Sequence, residues 1–229
     1  MRPPVLTLCW VALVALAPGC VSISLERDRL ERRYFVLDPA LEPQGAASNG
    51  AGVLKIADVR VSPRYDGKGF TYRAADLSYE TDYYNQFLIP PGPMLTDEVQ
   101  QALAQAHIFR YVVNSESQLE ATHRLESTVG ALYGDFSDKS APRAVLEMTF
   151  LLSRENPERS EVVFQESYRR SVPVEKRTPE ALVGGWNRAL AEILSSLVKD
   201  LRAARPQSEA RVTPPAARGT STSDAAGSR

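Results

Sequence analysis

The amino-acid sequence predicts an α+β fold, a single domain in which two helices pack on a mixed or antiparallel sheet. Three observations predict it. Apolar residues recur at helical spacing in two segments, near residues 95–107 and 178–201. The segments between and before them alternate apolar and polar residues with the period of half-buried strands. Strands and helices do not alternate one for one, which separates this pattern from a βαβ array.

The elements follow in order. Residues 33–38 (RYFVLD) read as a first strand. Residues 53–61 read as a second, with Val53, Lys55, Ala57, Val59 and Val61 on one face and Leu54, Ile56, Asp58 and Arg60 on the other. Pro63 ends it, because proline cannot join an interior ladder. Residues 66–69 (DGKG) form a turn, followed by short strands at 70–73 and 77–79, with 83–88 extended as well. The first helix follows the proline cluster at 90–93: Leu95, Val99, Ala102, Leu103 and Ala106 form its stripe. Asp97 and Glu98 are placed in its first turn, where they complement the dipole. Residues 108–113 return to strand.

Three long strand patterns come next, at 119–133, 143–152 and 161–172. On the last, Val162, Phe164, Tyr168 and Val172 share one parity. The short loops at 135–138 and 155–158 make an antiparallel meander the simplest connection. The second helix opens with Thr178 as N-cap, Pro179 at N1 and Glu180 in the first turn. Leu182, Trp186, Ala189, Leu190, Ile193, Leu194, Leu197 and Leu201 form its broad apolar stripe. Gly184 and Gly185 interrupt it at up to about 1 kcal/mol each against alanine. Close approach to the sheet is the reading favoured for them.

Both ends lie outside this domain, which spans residues 31–204. Residues 1–19 read as a signal peptide: Arg2 supplies the positive start, and 5–17 an apolar run broken only by Thr7. The run is too short for a bilayer core that needs about 20 residues. Residues 20–30 are a tether. The tail, 205–229, is rich in Pro, Ala, Ser, Thr and Gly. It cannot offset an ordering cost of about 1–2 kcal/mol per residue and is expected to be disordered.

The residues Ala17, Pro18, Gly19 and Cys20 resemble the lipobox of bacterial lipoproteins, with Pro18 departing from the usual small residue. The resemblance implies cleavage before Cys20 and lipidation of its thiol, palmitate among the acyl groups. Two or more chains, at about 0.8 kcal/mol per buried CH₂, anchor a protein without a membrane helix. Cys9 is the other cysteine and leaves with the signal, so the mature chain has no thiol besides the lipidated one. In many Gram-negative bacteria Asp after the lipidated cysteine retains a lipoprotein at the inner membrane. Val21 stands there, which favours the periplasmic face of the outer membrane over the inner membrane.

Composition excludes some function classes. The chain has 27 basic and 28 acidic residues, and removing the signal takes one basic residue away. Nucleic acid binding would need a basic footprint that this balance does not supply. The expected partners exclude nucleic acid for that reason. Catalysis finds no foothold either. The two histidines, His107 and His123, fall at a helix end and on a strand, with no ligand set in sequence around either. No nucleophile elbow or phosphate loop occurs; residues 66–69 lack the Walker spacing. No catalytic residue, cofactor site or metal site is assigned.

The distinctive stretch is 70–94, which holds Phe70, Tyr72, Tyr79, Tyr83, Tyr84 and Phe87, four of the chain's nine tyrosines among them. Aromatics with a polar tip suit interfaces that are dry at one end and wet at the other. Tyr72, Arg73, Tyr83, Tyr84 and Phe87 are the candidate partner-binding residues. Core filling is the competing reading for Phe70, Tyr72 and Phe87. Tyr83 and Tyr84, adjacent in an extended segment, are expected to point opposite ways, so that at least one faces outward. Arg73 either pairs with a carboxylate or is solvated.

The order of these features resembles the ABC-type transport auxiliary lipoproteins: a lipobox, the strand at 34–38, the strand at 54–61, Tyr72 and Arg73 ending a strand, a Tyr-rich segment, Pro90 and Pro91, then the helix at 95–104 and the closing helix. Many members carry Trp shortly before the proline; Phe87 and Leu88 occupy that region here. The resemblance implies a non-catalytic auxiliary subunit of a transporter built around a mammalian-cell-entry (MCE) substrate-binding protein. Such systems move lipids or other hydrophobic molecules across the envelope. It also implies docking to the MCE-domain protein, with a homo-oligomeric ring in some relatives. The alternative is a structural or assembly lipoprotein, a secretion pilot or scaffold.

Overall fold

The structure, a computed structural model, describes residues 31–41, 50–156 and 158–204. The expected signal peptide, Cys20, the tether up to residue 30 and the tail from 205 lie outside the described residues. The elements are β1 (Arg33–Phe35), β2 (Val53–Ile56), β3 (Arg60–Val61), β4 (Gly69–Ala75), β5 (Ser78–Phe87), α1 (Pro91–Gln105), β6 (Tyr111–Val113), β7 (His123–Asp135), β8 (Arg143–Glu155), β9 (Ser160–Pro173) and α2 (Pro179–Ala204). Among the described residues the fold is α+β, with one mixed nine-stranded sheet and two helices.

β7 organises the sheet. One edge pairs antiparallel with β8 along its whole length, and β8 pairs antiparallel with β9. This is the meander that the two short loops predict. The other edge of β7 takes β2, β3 and β4 in turn, all parallel. β6 extends the sheet beyond β2, and β5 and β1 extend it beyond β4. The helix α2 packs on β8 and β9, and α1 on β6 and β3.

All eight stripe residues of α2 are buried. Apolar burial at about 1.5–3 kcal/mol per large side chain makes this helix the main cover of the sheet. Trp186 centres the core: its ring meets Phe70 edge-on at 5.1 Å and Phe87 at 5.5 Å, and its Nε1–H donates to the Tyr133 carbonyl at 3.3 Å. Thr178 is the N-cap as expected, with Oγ1 accepting from the Ala181 amide at 3.3 Å.

Several local expectations are corrected. The strand at 53–61 is two strands, because four steps from Ile56 to Arg60 answer three from Leu125 to Thr128. The extra residue lets Val59 turn its amide to Thr96 Oγ1 at 2.9 Å, and the inward face switches from Leu54 and Ile56 to Val59. The first helix begins at Pro91, not near Leu95. Proline is tolerated in a first turn whose amides lack helical partners anyway. Asp97 and Glu98 therefore sit beyond the first turn. The helix ends where His107 takes φ +52°, so Ile108 and Phe109 turn into the core before β6 begins at Tyr111. β7 begins at His123, leaving Leu119 and Ala121 outside it. A register shift between Phe164 and Val162 puts Val162 on the outside, away from Phe164's face.

Candidate docking surface

The centre of the site is a bulge in β5. Gly69 pairs with Gln86 and Thr71 with Thr81, so two steps along β4 answer five along β5. The residues between leave the ladder, and Asp82 holds them. Its Oδ1 accepts from the amides of Tyr84 at 2.8 Å and Asn85 at 3.0 Å. Its Oδ2 accepts from Asn85 Nδ2 at 2.7 Å and from the Tyr72 hydroxyl at 2.8 Å. Partial burial pushes the Asp82 carboxyl up, but the four hydrogen bonds together outweigh it and hold the group below its usual value. Burial, then the bond to Asp82, raises the Tyr72 phenol, which stays protonated as a donor.

The bulge decides where the tyrosines go. Tyr83 and Tyr84 do not point opposite ways; their rings meet edge-on at 5.3 Å on one side of the bulge. Alternation requires a regular pleat, and the Asp82 turn removes it. Tyr83 is 59% exposed and Tyr84 is also exposed. The Arg32 guanidinium lies 4.2 Å from the Tyr83 ring centroid and also donates to its hydroxyl. Arg33 donates twice to Asn85 Oδ1, at 3.0 and 2.8 Å, and pairs with Glu180 at the start of α2. β1 thus clamps the bulge from the side.

β1 adds to the surface. It runs parallel to β5, with Tyr34 beside Gln86, and the Leu88 amide donates to the Phe35 carbonyl at 2.8 Å. Phe35 packs inward against Phe70, while Tyr34 and Val36 face outward. Leu88 and Ile89 are exposed just past the strand. Exposed apolar side chains gathered this way mark interaction sites.

The other candidates lie elsewhere. Phe87 is 2% exposed and stacks in the core between Phe70 and Trp186, so it supports β5 rather than presenting a surface. Tyr72 is half-buried, its ring stacked on Phe136 at 5.1 Å and its hydroxyl spent on Asp82. Arg73 pairs with Asp135 through two hydrogen bonds, which resolves it in favour of a carboxylate. Burial raises the Asp135 carboxyl, but bonds from Arg73 and Ser137 bring it below its usual value. Asp82, Arg32, Tyr34, Val36, Leu88 and Ile89 were not singled out from sequence. An Asp three residues before an Asn is an Asx-turn signal that points to the bulge.

His107 lies just past the first helix, whose C-cap is Ala106, and takes φ +52° there. His123 meets Phe109 at 5.2 Å and Thr122 Oγ1 at 3.0 Å. Among the described residues no group of three His, Cys, Asp or Glu could hold a metal. No described helix is long and apolar enough to cross a membrane.

The described residues form an α+β domain with an open mixed sheet and an exposed aromatic bulge. The chain belongs to the family of ABC-type transport auxiliary lipoprotein components, whose model matches residues 35–198. That family consists of lipoproteins auxiliary to ABC-type transport. The fold is that of protein XCC0632 from Xanthomonas campestris, of the DUF330 family: TM-score 0.67 at 18% identity, over 76% of this chain and 98% of that one. A second, uncharacterised protein is similar at TM-score 0.58 and 16% identity, over 75% of this chain and 99% of that one. A PelC dodecamer from Paraburkholderia phytofirmans is more distant, at TM-score 0.41 and 16% identity over 66% and 92%. Among curated proteins nothing matches.

Proposed function

We propose that the chain is the periplasmic, lipid-anchored auxiliary subunit of an ABC transporter of the MCE type, and that it works by docking rather than by turnover. Lipid on Cys20 holds it to the outer membrane, and the MCE-domain protein is the partner that the Tyr83–Tyr84 surface meets. The observation that carries this reading is the bulge itself, two exposed tyrosine rings fixed by Asp82 and clamped by Arg32 and Arg33 in a member of a transport-auxiliary family. Rigid, amphipathic rings contribute contact area at small entropic cost, which suits a hot spot. Tethering confines the domain to one surface and raises its effective concentration for a partner that reaches that surface.

The test is recovery of partners on the tagged full-length protein from solubilised envelopes, identified by mass spectrometry. An MCE-domain protein together with its permease is the expected result. Secretion or scaffold proteins alone would replace this reading with an assembly role.

A further inference from the structure

The opposite end of β7 carries a feature that docking does not use. His123, where β7 begins, is 11 positions from Gly134, the register partner of Tyr72. At about 3.3 Å per residue that is roughly 36 Å along the strand. An apolar pocket of about 400 Å³ opens there, walled by Ile108, Phe109, Leu152, Phe164 and Leu201. Pockets of roughly 300–1,000 Å³ are the usual size for small-molecule sites. A second, polar groove of about 660 Å³ adjoins it, since Thr122, Glu155 and Asn156 line both. Lys55 and Arg124 line the groove, and Arg154 lines the pocket.

We propose that this end binds a single-chain amphiphile with an anionic head group, its alkyl chain in the pocket and its head in the groove. The two compartments meet as the two parts of such a molecule do. The facing charges are Lys55, Arg124 and Arg154 against Glu120 and Glu155. Glu155 already accepts from Ser153 at 3.1 Å and Ser160 at 2.8 Å. Of the groove cations, Arg124 is 3.7 Å from Glu126 and Lys55 donates to the Ser117 carbonyl at 2.9 Å. Exposed pairs at such distances contribute little and yield readily to an anionic oxygen.

His123 adds a polar handle on the apolar side. Thr122 spends its one hydroxyl proton on the Val53 carbonyl at 3.1 Å. The ring stands 3.0 Å from Thr122 Oγ1 through Nδ1, and Nε2 is its other polar atom. Burial, then the Arg154 charge, lowers the His123 value and keeps that ring neutral. A head group with both an anionic oxygen and a hydroxyl satisfies both sides.

The inference stands on the pocket and is independent of the docking reading. Its test uses the full-length protein in nanodiscs of dioleoylphosphatidylcholine, a two-chain lipid. Two single-chain probes carry a diazirine on the alkyl chain: palmitate in one arm, palmitoyl-lysophosphatidylglycerol in the other. Saturable labelling of the peptides holding Phe109, Leu152 and Phe164 is expected in at least one arm, and the arm identifies carboxylate or phosphate. Ala204→Trp at the pocket wall should cut labelling about tenfold. Lys55→Glu with Arg124→Glu, on the groove surface, should do the same with the melting temperature unchanged. Labelling that never saturates, that falls on other peptides, or that survives the charge reversals in folded protein overturns the proposal. Recovery of an MCE protein bears on none of these outcomes.

Discussion

Gly185 of α2 lies so close to Ala144 of β8 that a Cβ on the glycine would stand 2.6 Å from the alanine Cβ and 2.7 Å from Val174 Cγ1. Its neighbour Gly184 has open space, with Arg188 Nη1 nearest at 3.7 Å. The close approach expected of both glycines belongs to Gly185 alone. Gly185→Ala should destabilise the domain by about 1–3 kcal/mol through overpacking. Gly184→Ala should stabilise it by up to about 1 kcal/mol through helix propensity. At roughly 2–4 °C per kcal/mol for a domain of this size, thermal melting separates the two signs.

Tyr83 and Tyr84 are predicted to bind and not to fold. Replacing both with Ser should weaken recovery of the transporter partner by roughly 30-fold, the loss of a hot spot of about 2 kcal/mol. The melting temperature should hold, because both rings stand outside the core. Unchanged affinity in a titration against the recovered partner would remove this surface from consideration.

Asp82 shapes the bulge from beneath. Asp82→Ala removes the acceptor for two backbone amides, Asn85 and Tyr72 at once. A cost of about 1–3 kcal/mol is expected for the donors left behind. Partner affinity should fall as well, although the exposed rings are intact. Asp82→Asn keeps one oxygen acceptor and should fall between wild type and alanine in both measurements.

Acid should loosen the same region. Folding lowers the Asp82 and Asp135 values below their ordinary 3.8. A carboxyl lowered in this way contributes stability that is fully present above its unfolded value and is lost as pH falls through the folded one. Melting temperature should therefore drop as pH falls below about 3.8. Asp82→Asn with Asp135→Asn should flatten that drop in a melting series from about pH 5 to about pH 2.

Ser127 is 1% exposed on β7, and its hydroxyl has no hydrogen-bond partner among the described residues. A buried unpaired polar group costs about 1–3 kcal/mol. Ser127→Ala should raise stability by about 1 kcal/mol in denaturant titration; a loss would show that the hydroxyl is bonded in the folded protein.

The amino-acid sequence by itself determined the α+β class, the meander of β7, β8 and β9, the N-cap at Thr178 and the buried stripe of α2. Each of these rests on periodicity or on a local capping rule, which a linear pattern carries in full. It also carried the order of features that marks the family. The tertiary structure alone decided the rest. Which of the aromatics in 70–94 face outward, like which face of 53–61 turns inward, depended on a register shift, and a shift arises only when strands are paired. One extra residue in the segment from Ile56 to Arg60 moved Val59 inward, and the Asp82 turn brought Tyr83 and Tyr84 to the same side. Parity along one strand cannot report either change, because the partner strand sets the count. Phe87 reads from sequence like its neighbours, yet the packing of Trp186 across the sheet buried it. The apolar pocket has no linear signature at all: its walls come from residues as far apart as Ile108 and Leu201, which only the packing of α2 on the sheet brings together.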